Sequence, residues 1–341
     1  MGFLFLGKAF LCKRMKILVL RFSSIGDIVL TTPVMRCLHE QKNAEVHFLT
    51  KSSFRSVVEH NPHISRCWFF DKEVTEVLPE LKKENFDLII DLHRNLRSLR
   101  VKMALRKPSR SFSKLNFAKW KKVTFKSTVL PKVHIVDRYL ETVAHLGVKN
   151  DLKGLDFFIP EDKEVQRNTL PAFLHQGYVA FAIGAQHATK RLPVEKIASI
   201  CAGLPHPIVL LGGKEDAVAG EKIASLAPDS IFNACGKFDL YGSASLVKQA
   251  RVVISHDTGL MHIAAAFHKK IVSVWGNTIP EFGMYPYLPK EKDQYRIIEN
   301  KEMRCRPCSK IGHAECPKKH FQCMLGIPDK AITEASEELF F

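Results

Sequence analysis

Short apolar runs of strand character alternate with amphipathic helical patterns along almost the whole chain, and this alternation limits the possible folds more than any other feature. Parallel neighbours need a long crossover between them, so strands interleaved with helices build parallel sheets. In the first half, Lys16 to Phe22, Glu45 to Thr50 and Phe86 to Asp91 read as strands, and Ile28 to Glu40 reads as a helix. In the second half, Tyr178 to Gly184, Pro207 to Gly212, Ile231 to Ala234, Val252 to Ser255 and Ile271 to Trp275 read as strands. Val194 to Ala202, Ala217 to Leu226, Gly242 to Gln249 and Gly259 to Phe267 read as the helices between them. The expected fold class is α/β, with two Rossmann-like domains whose parallel sheets face each other across a cleft. The chain of 341 residues has room for both.

The expected organisation is a leader at 1–14, an N-terminal domain at 15–165, a C-terminal domain at 166–327 and a closing helix at 328–341. Pro160 to Gly177 is polar and proline-containing and suits a linker. The segment Pro328 to Phe341 is placed to pack back across the domain boundary. The leader lacks both the basic start and the small-residue cleavage site of a signal peptide. It reads as an upstream extension, with a short amphipathic contact to a membrane surface as the alternative. No apolar run approaches the roughly 20 residues that span a bilayer.

Two strand exits stand out. Ser23-Ser24-Ile25-Gly26-Asp27 follows the first strand, and Ser255-His256-Asp257-Thr258-Gly259 follows a strand more than two hundred residues later. Ligands of open α/β sheets bind beyond the carboxyl ends of strands, so these exits are the candidate walls of one cleft. At Asp257-Thr258-Gly259 the acid is expected at the N-cap of a helix, where free backbone N–H groups accept phosphate and a glycine lets the ligand approach. A plain capping Asp explains the same residues. His262 lies one turn further on, facing either the same ligand or the core.

Three other positions have the same double reading. Glu215 follows two glycines at a strand end, where a carboxylate accepts ribose hydroxyls or simply closes a turn. Lys190 follows the strand ending at Gly184 and would offset charge on a departing pyrophosphate, or face solvent. Asp27, behind Ser24 and Gly26, either takes a proton from an attacking hydroxyl or caps a helix.

The charge is unevenly spread. Between Leu92 and Val136 there are 13 Lys and Arg and no Asp or Glu, whereas the rest of the chain has 38 basic and 35 acidic residues. Such a block implies an anionic partner: nucleic acid, anionic lipid or a phosphorylated substrate. Among the nine cysteines, Cys305, Cys308, Cys316 and Cys323 cluster, with His313 and His320 between them. The first pair has zinc-ligand spacing and the second does not repeat it, so a structural zinc and a loop packed with free thiols are both open. A zinc-containing nucleic-acid-binding protein is the alternative from another class. The aromatics of the basic block form no recognisable nucleic-acid module, so no nucleic-acid partner is expected.

Together, Lys16 to Pro33 and Asp257 to Ala266 resemble the ADP-heptose:lipopolysaccharide heptosyltransferase family, glycosyltransferase family 9, and the resemblance extends from about Met15 to Leu325. It implies a GT-B fold and an inverting transfer of heptose from ADP-L-glycero-D-manno-heptose to the inner core of a lipopolysaccharide precursor, with no cofactor required for catalysis. Carried over by position, Asp27 would be the general base and Lys190 the phosphate-binding cation. Glu215 would hold the ribose and Asp257 the sugar hydroxyls, while the Thr258 and Gly259 backbone would bind pyrophosphate. Ser24, Gly26 and His262 would complete the donor side. Segments containing Arg97, His134 and Arg138 resemble the family's acceptor side, which places an anionic lipid-linked oligosaccharide against the basic block. The implied location is cytoplasmic, peripheral to the inner membrane. Cysteine-rich tails like this one point to the branch that adds the second core heptose. Another nucleotide sugar on the same fold remains the alternative donor.

Overall fold

The strand and helix periodicities build two all-parallel sheets in the computed structural model, which describes residues 14–126 and 129–341. The leader expectation therefore falls, but for Arg14, outside the described residues. The strands are β1 (Lys16–Leu20), β2 (Glu45–Lys51), β3 (Arg66–Phe70), β4 (Leu88–Asp91), β5 (Ser109–Ser111) and β6 (Val179–Ala182). They continue as β7 (Ile208–Leu211), β8 (Ile231–Asn233), β9 (Val252–His256), β10 (Lys270–Trp275) and β11 (Tyr295–Glu299). The first six helices are α1 (Ile25–Val29), α2 (Thr32–Lys42), α3 (Leu78–Lys83), α4 (Leu96–Leu105), α5 (Asn116–Phe125) and α6 (Ile135–Leu140). The others are α7 (Val194–Ala202), α8 (Ala217–Ala224), α9 (Leu240–Gln249), α10 (Gly259–Ala266), α11 (Gln322–Leu325) and α12 (Asp329–Phe340).

The first sheet runs β3-β2-β1-β4-β5 and the second β11-β10-β9-β6-β7-β8. The winding direction reverses between β1 and β4 in one sheet and between β9 and β6 in the other. The crevice of a doubly wound sheet opens at that reversal. β1 leads to Asp27, β9 to Asp257 and β6 to Lys190, so the topology alone aims the candidate residues at the two crevices.

Three strands went unread in the sequence: β3, β5 and β11. All lie at or beside a sheet edge, and β5 and β11 have no fully buried residue, so they lack the apolar signal that marks a central strand. The single helix expected from Ile28 to Glu40 is two, α1 and α2, because Pro33 has no N–H to donate and is tolerated only in a first turn.

One apolar cluster runs through both halves, joining Ile17, Val19 and Ile28 to Val209, Met261 and Ile271. Two more cover the outer faces of the first and second sheets. The closing helix α12 does not cross the boundary. Its apolar side, Ile332, Ala335, Leu339 and Phe340, packs with Val179, Phe181 and Ile197 on the outer face of the second sheet, which buries its stripe.

Candidate functional site

The two strand exits meet. The start of α1 lies against the start of α10, and glycine is what permits it. A Cβ on Gly26 would lie 2.5 Å from His262 Cδ2 and 3.4 Å from Gly259 Cα, and one on Gly259 would lie 2.9 Å from Ile25 Cγ2. Gly26→Ala is therefore expected to destabilise the chain by about 1–3 kcal/mol, as overpacking does, and to pry apart the two walls. Denaturation midpoints and turnover measured on the same preparation check this. An alanine variant of unchanged stability and rate would show that the approach is not needed.

On the α1 wall, Asp27 is fully engaged. Its Oδ1 pairs with Arg21 Nη2 at 2.7 Å, and its Oδ2 accepts from the Ser24 hydroxyl at 3.0 Å and backbone N–H at 3.3 Å. Arg21 is held by Ser23 O, Leu92 O and the Tyr139 hydroxyl. Burial pushes the Asp27 carboxyl up, but Arg21, the Ser24 hydrogen bonds and His262 outweigh it and keep the group below its ordinary value. Asp27 is thus ionised throughout the physiological range.

On the opposite wall, Lys190 Nζ donates to Asp257 Oδ2 at 2.6 Å and to Asp257 O at 3.2 Å, and Thr278 Oγ1 donates to Asp257 Oδ2 at 3.0 Å. The N-cap of α10 is Thr258, with extended φ and ψ, and not Asp257 as the sequence suggested. The acid stands one residue outside the helix, where its Oδ2 accepts from both Lys190 and Thr278. His262 is buried on the first turns of α10, and burial lowers its pKa to about 4 despite the nearby carboxylates of Asp257 and Asp27. It is neutral at pH 7 and packs between the walls.

The remaining expected residues are placed differently. Glu215 is exposed on the turn after β7, where a Cβ on Gly213 would meet its carboxylate. The buried acid there is Asp216, which accepts from Gly213 N–H and Arg191. Arg97 directs its guanidinium to Glu73, 3.9 Å away. His134 has both ring nitrogens in use: Nε2–H donates to Tyr285 O at 2.9 Å and Nδ1 accepts from Val136 N–H at 3.2 Å. Arg138 is buried and spans Ser113 O and Phe282 O. His134 and Arg138 tie the two halves of the chain together, and Arg138, whose Nε has no hydrogen-bond partner among the described residues, also lines a pocket with Arg110, Ser113 and His145.

The zinc expectation is also corrected. Among the described residues no group of three or more His, Cys, Asp or Glu side chains is placed to hold a metal ion. Cys323 is buried in the core of the second sheet, and the Cys308 thiol faces Cys305 O at 3.2 Å. Burial pushes the Cys323 thiol up, Cys308, Cys305 and Cys316 lie near enough to add to that rise, and the cysteines are free thiols. The loop that carries them braces the site instead. Thr189 exchanges hydrogen bonds with His313, fixing the turn that carries Lys190. The buried Arg306 binds Gly276 O, Thr278 O and Glu299, fixing Thr278 beside Asp257.

Arg21, Thr278, Arg306 and Lys119 were missed in the sequence. Only Arg21 left a trace, as a cation at the end of an otherwise apolar strand. Lys119, on α5, has its Nζ 5.2 Å from the centre of the Phe282 ring. Burial and the like charge of Arg138 bring it down to about 8, against the pull of Asp27 and Asp257.

The chain and its fold have known relatives. The profile of glycosyltransferase family 9 (heptosyltransferase) matches residues 74–319. Lipopolysaccharide heptosyltransferase 1 of Campylobacter coli is 22% identical over 96% of this chain and 99% of its own length. A family 9 glycosyltransferase structure from Veillonella parvula superposes with a TM-score of 0.75 at 22% identity, covering 96% of this chain and 97% of its own. The ADP-heptose lipopolysaccharide heptosyltransferase II of E. coli gives 0.69 at 19% identity, covering 96% and 98%. The two parallel sheets form the GT-B fold of these structures, and the chain belongs to glycosyltransferase family 9, the heptosyltransferases.

Proposed function

We propose that this glycosyltransferase moves heptose from ADP-L-glycero-D-manno-heptose to an anionic lipopolysaccharide inner-core acceptor, at the cytoplasmic face of the inner membrane. The observation that carries the reading is the contact of Gly26 with the Gly259 helix start, which sets Asp27 across from the Lys190–Asp257 pair. An acceptor hydroxyl attacks the anomeric carbon, Asp27 takes its proton, and the bond from that carbon to the ADP oxygen breaks. Charge gathers on the departing pyrophosphate, where the unpaired Thr258 and Gly259 amides and Lys190 would receive it. An ammonium has three donors. Two of those on Lys190 are used by Asp257, which leaves one for phosphate. Asp257 would repel phosphate and so accepts the sugar hydroxyls, while Glu215 is the proposed ribose contact. The chain resembles both a type 1 and a type II heptosyltransferase, and addition of the second heptose is the branch proposed on the cysteine-rich tail. Among the described residues no helix is long and apolar enough to cross a membrane.

A panel of ADP-, UDP- and GDP-sugars, offered with and without delipidated core acceptors, tests the donor and acceptor together. Acceptor-dependent release of ADP from ADP-heptose is expected, and release only from UDP- or GDP-sugars would overturn the donor. Lys190→Met is expected to lower kcat/KM by roughly 10²- to 10³-fold and to weaken ADP binding in calorimetry. Equal ADP affinity in the variant would remove Lys190 from the pyrophosphate site.

A further inference from the structure

The exposed apolar surface of this protein and its excess positive charge fall on the same stretch. Eight of the fifteen exposed large apolar side chains among the described residues lie between residues 92 and 136, where there are 13 Lys and Arg and no acid. Helix α5 concentrates both properties. At 3.6 residues per turn, Phe117, Trp120 and Lys121 fall on one side and Lys119 and Val123 on the other, with Ala118 and Phe125 along the border between them.

Among the described residues, the second side is the one packed on the rest of the chain. Ala118 and Val123 pack with Leu130, Ile279 and Phe282, and Lys126 Nζ donates to Pro307 O at 2.6 Å. Away from these contacts, Phe117, Trp120 and Phe125 are 67, 47 and 60% exposed. Phe117 and Trp120 stack at 5.9 Å, Trp120 and Phe125 meet edge to face at 5.7 Å, and Lys121 Nζ lies 4.7 Å from the Phe117 ring. A rigid cluster of three rings held out in water, with ammonium groups beside it, marks a binding surface.

Charge selects the occupant. A second copy of this chain would bring lysine against lysine, whereas an anionic bilayer offers phosphates to the lysines and a headgroup boundary to the rings. We infer that the outward face of α5 docks on an anionic lipid bilayer, with Phe117, Trp120 and Phe125 at the headgroup–acyl boundary and Lys121 on lipid phosphate. The inference deepens the proposed function, on which it rests for the identity of that bilayer as the one carrying the acceptor. The inward side of α5 packs at Phe282, four residues from the Thr278 that holds Asp257, so docking sets the transfer cleft beside the membrane.

Trp120 reports its own environment, since Trp68 and Trp275 are buried. The full chain is titrated with vesicles of phosphatidylcholine alone and of phosphatidylcholine with phosphatidylglycerol. The expected result is a blue shift and protection from acrylamide with the anionic vesicles only, weakening as salt is raised. The triple variant F117S/W120S/F125S is expected to lose roughly tenfold or more in vesicle co-sedimentation, with native circular dichroism and unchanged turnover on a delipidated acceptor. Binding independent of phosphatidylglycerol, undiminished sedimentation of the variant, or a concentration-dependent dimer that shields Trp120 without vesicles would overturn the inference. Failure of the functional reading would appear separately, as no transfer from ADP-heptose to the soluble acceptor by the unmodified chain.

Discussion

Asp27→Asn is expected to lower kcat/KM for sugar transfer by about 10²- to 10⁴-fold while leaving the affinity for ADP within about twofold. Asparagine keeps the shape of the side chain and its contacts with Ser24, but it cannot take a proton from the acceptor. ADP is assigned to the other wall, so its binding should not register the change. The substitution also leaves the Arg21 guanidinium, 2.7 Å away in the parent, without its counter-charge. Removing one partner of a largely buried pair costs about 3–5 kcal/mol, so rates are to be compared at a temperature where circular dichroism shows the variant folded. A folded Asp27→Asn enzyme that turns over normally would reduce Asp27 to a counter-ion for Arg21.

The charge state of Asp27 adds a constraint on the pH profile. Because its folded pKa lies below the ordinary carboxylate value, Asp27 does not protonate between pH 8 and 5, and the acid limb of the activity curve must have another origin. Three histidines supply it. Burial holds His134 and His256 at about 3 and His262 at about 4, against 6.5 for a free imidazole. Two of them need a neutral ring for their hydrogen bonds: His134 Nδ1 accepts from Val136 N–H and His256 Nε2 from Leu192 N–H.

Between about pH 6.5 and 4 the unfolded chain binds protons at these positions and the folded chain does not. Stability therefore rises with pH across that window and is lost as pH falls through it. At about 1.4 kcal/mol per proton per pH unit, three imidazoles remove on the order of 4 kcal/mol per unit below pH 6. That is a large share of the 5–15 kcal/mol typical of a folded domain. Denaturation midpoints from pH 7.5 to 5 should fall steeply, the loss of activity should follow unfolding, and a His262→Gln variant should show a shallower slope. A midpoint that stays level down to pH 5 would mean that these rings are protonated in the folded protein.

The two strand exits that meet in the fold could be read from the chain, because strand exits have local signatures. Ser24, Gly26 and Asp27 follow an apolar run directly, and so do Asp257, Thr258 and Gly259. His134 and Arg138 bond backbone carbonyls across the two halves, contacts that no local pattern announces. Thr278 and Arg306 left no local mark, since each matters only through what another part of the chain brings beside it. The cysteine spacing suggested a metal, but ligand geometry depends on where the side chains point, and among the described residues no group of three or more is placed to hold one.

The sequence by itself determined the α/β class, the two strand exits and the acid-free stretch. These follow from periodicity and composition, which are properties of neighbouring residues. Only the tertiary structure decided which groups meet: Asp27 with Arg21, Lys190 and Thr278 with Asp257, Gly26 with Gly259. It also decided that α5 turns one side inward and leaves its rings outside. The physical reason is strand order. β6 and β9 lie side by side although about seventy residues separate them, and local periodicity does not specify which parallel strands become neighbours.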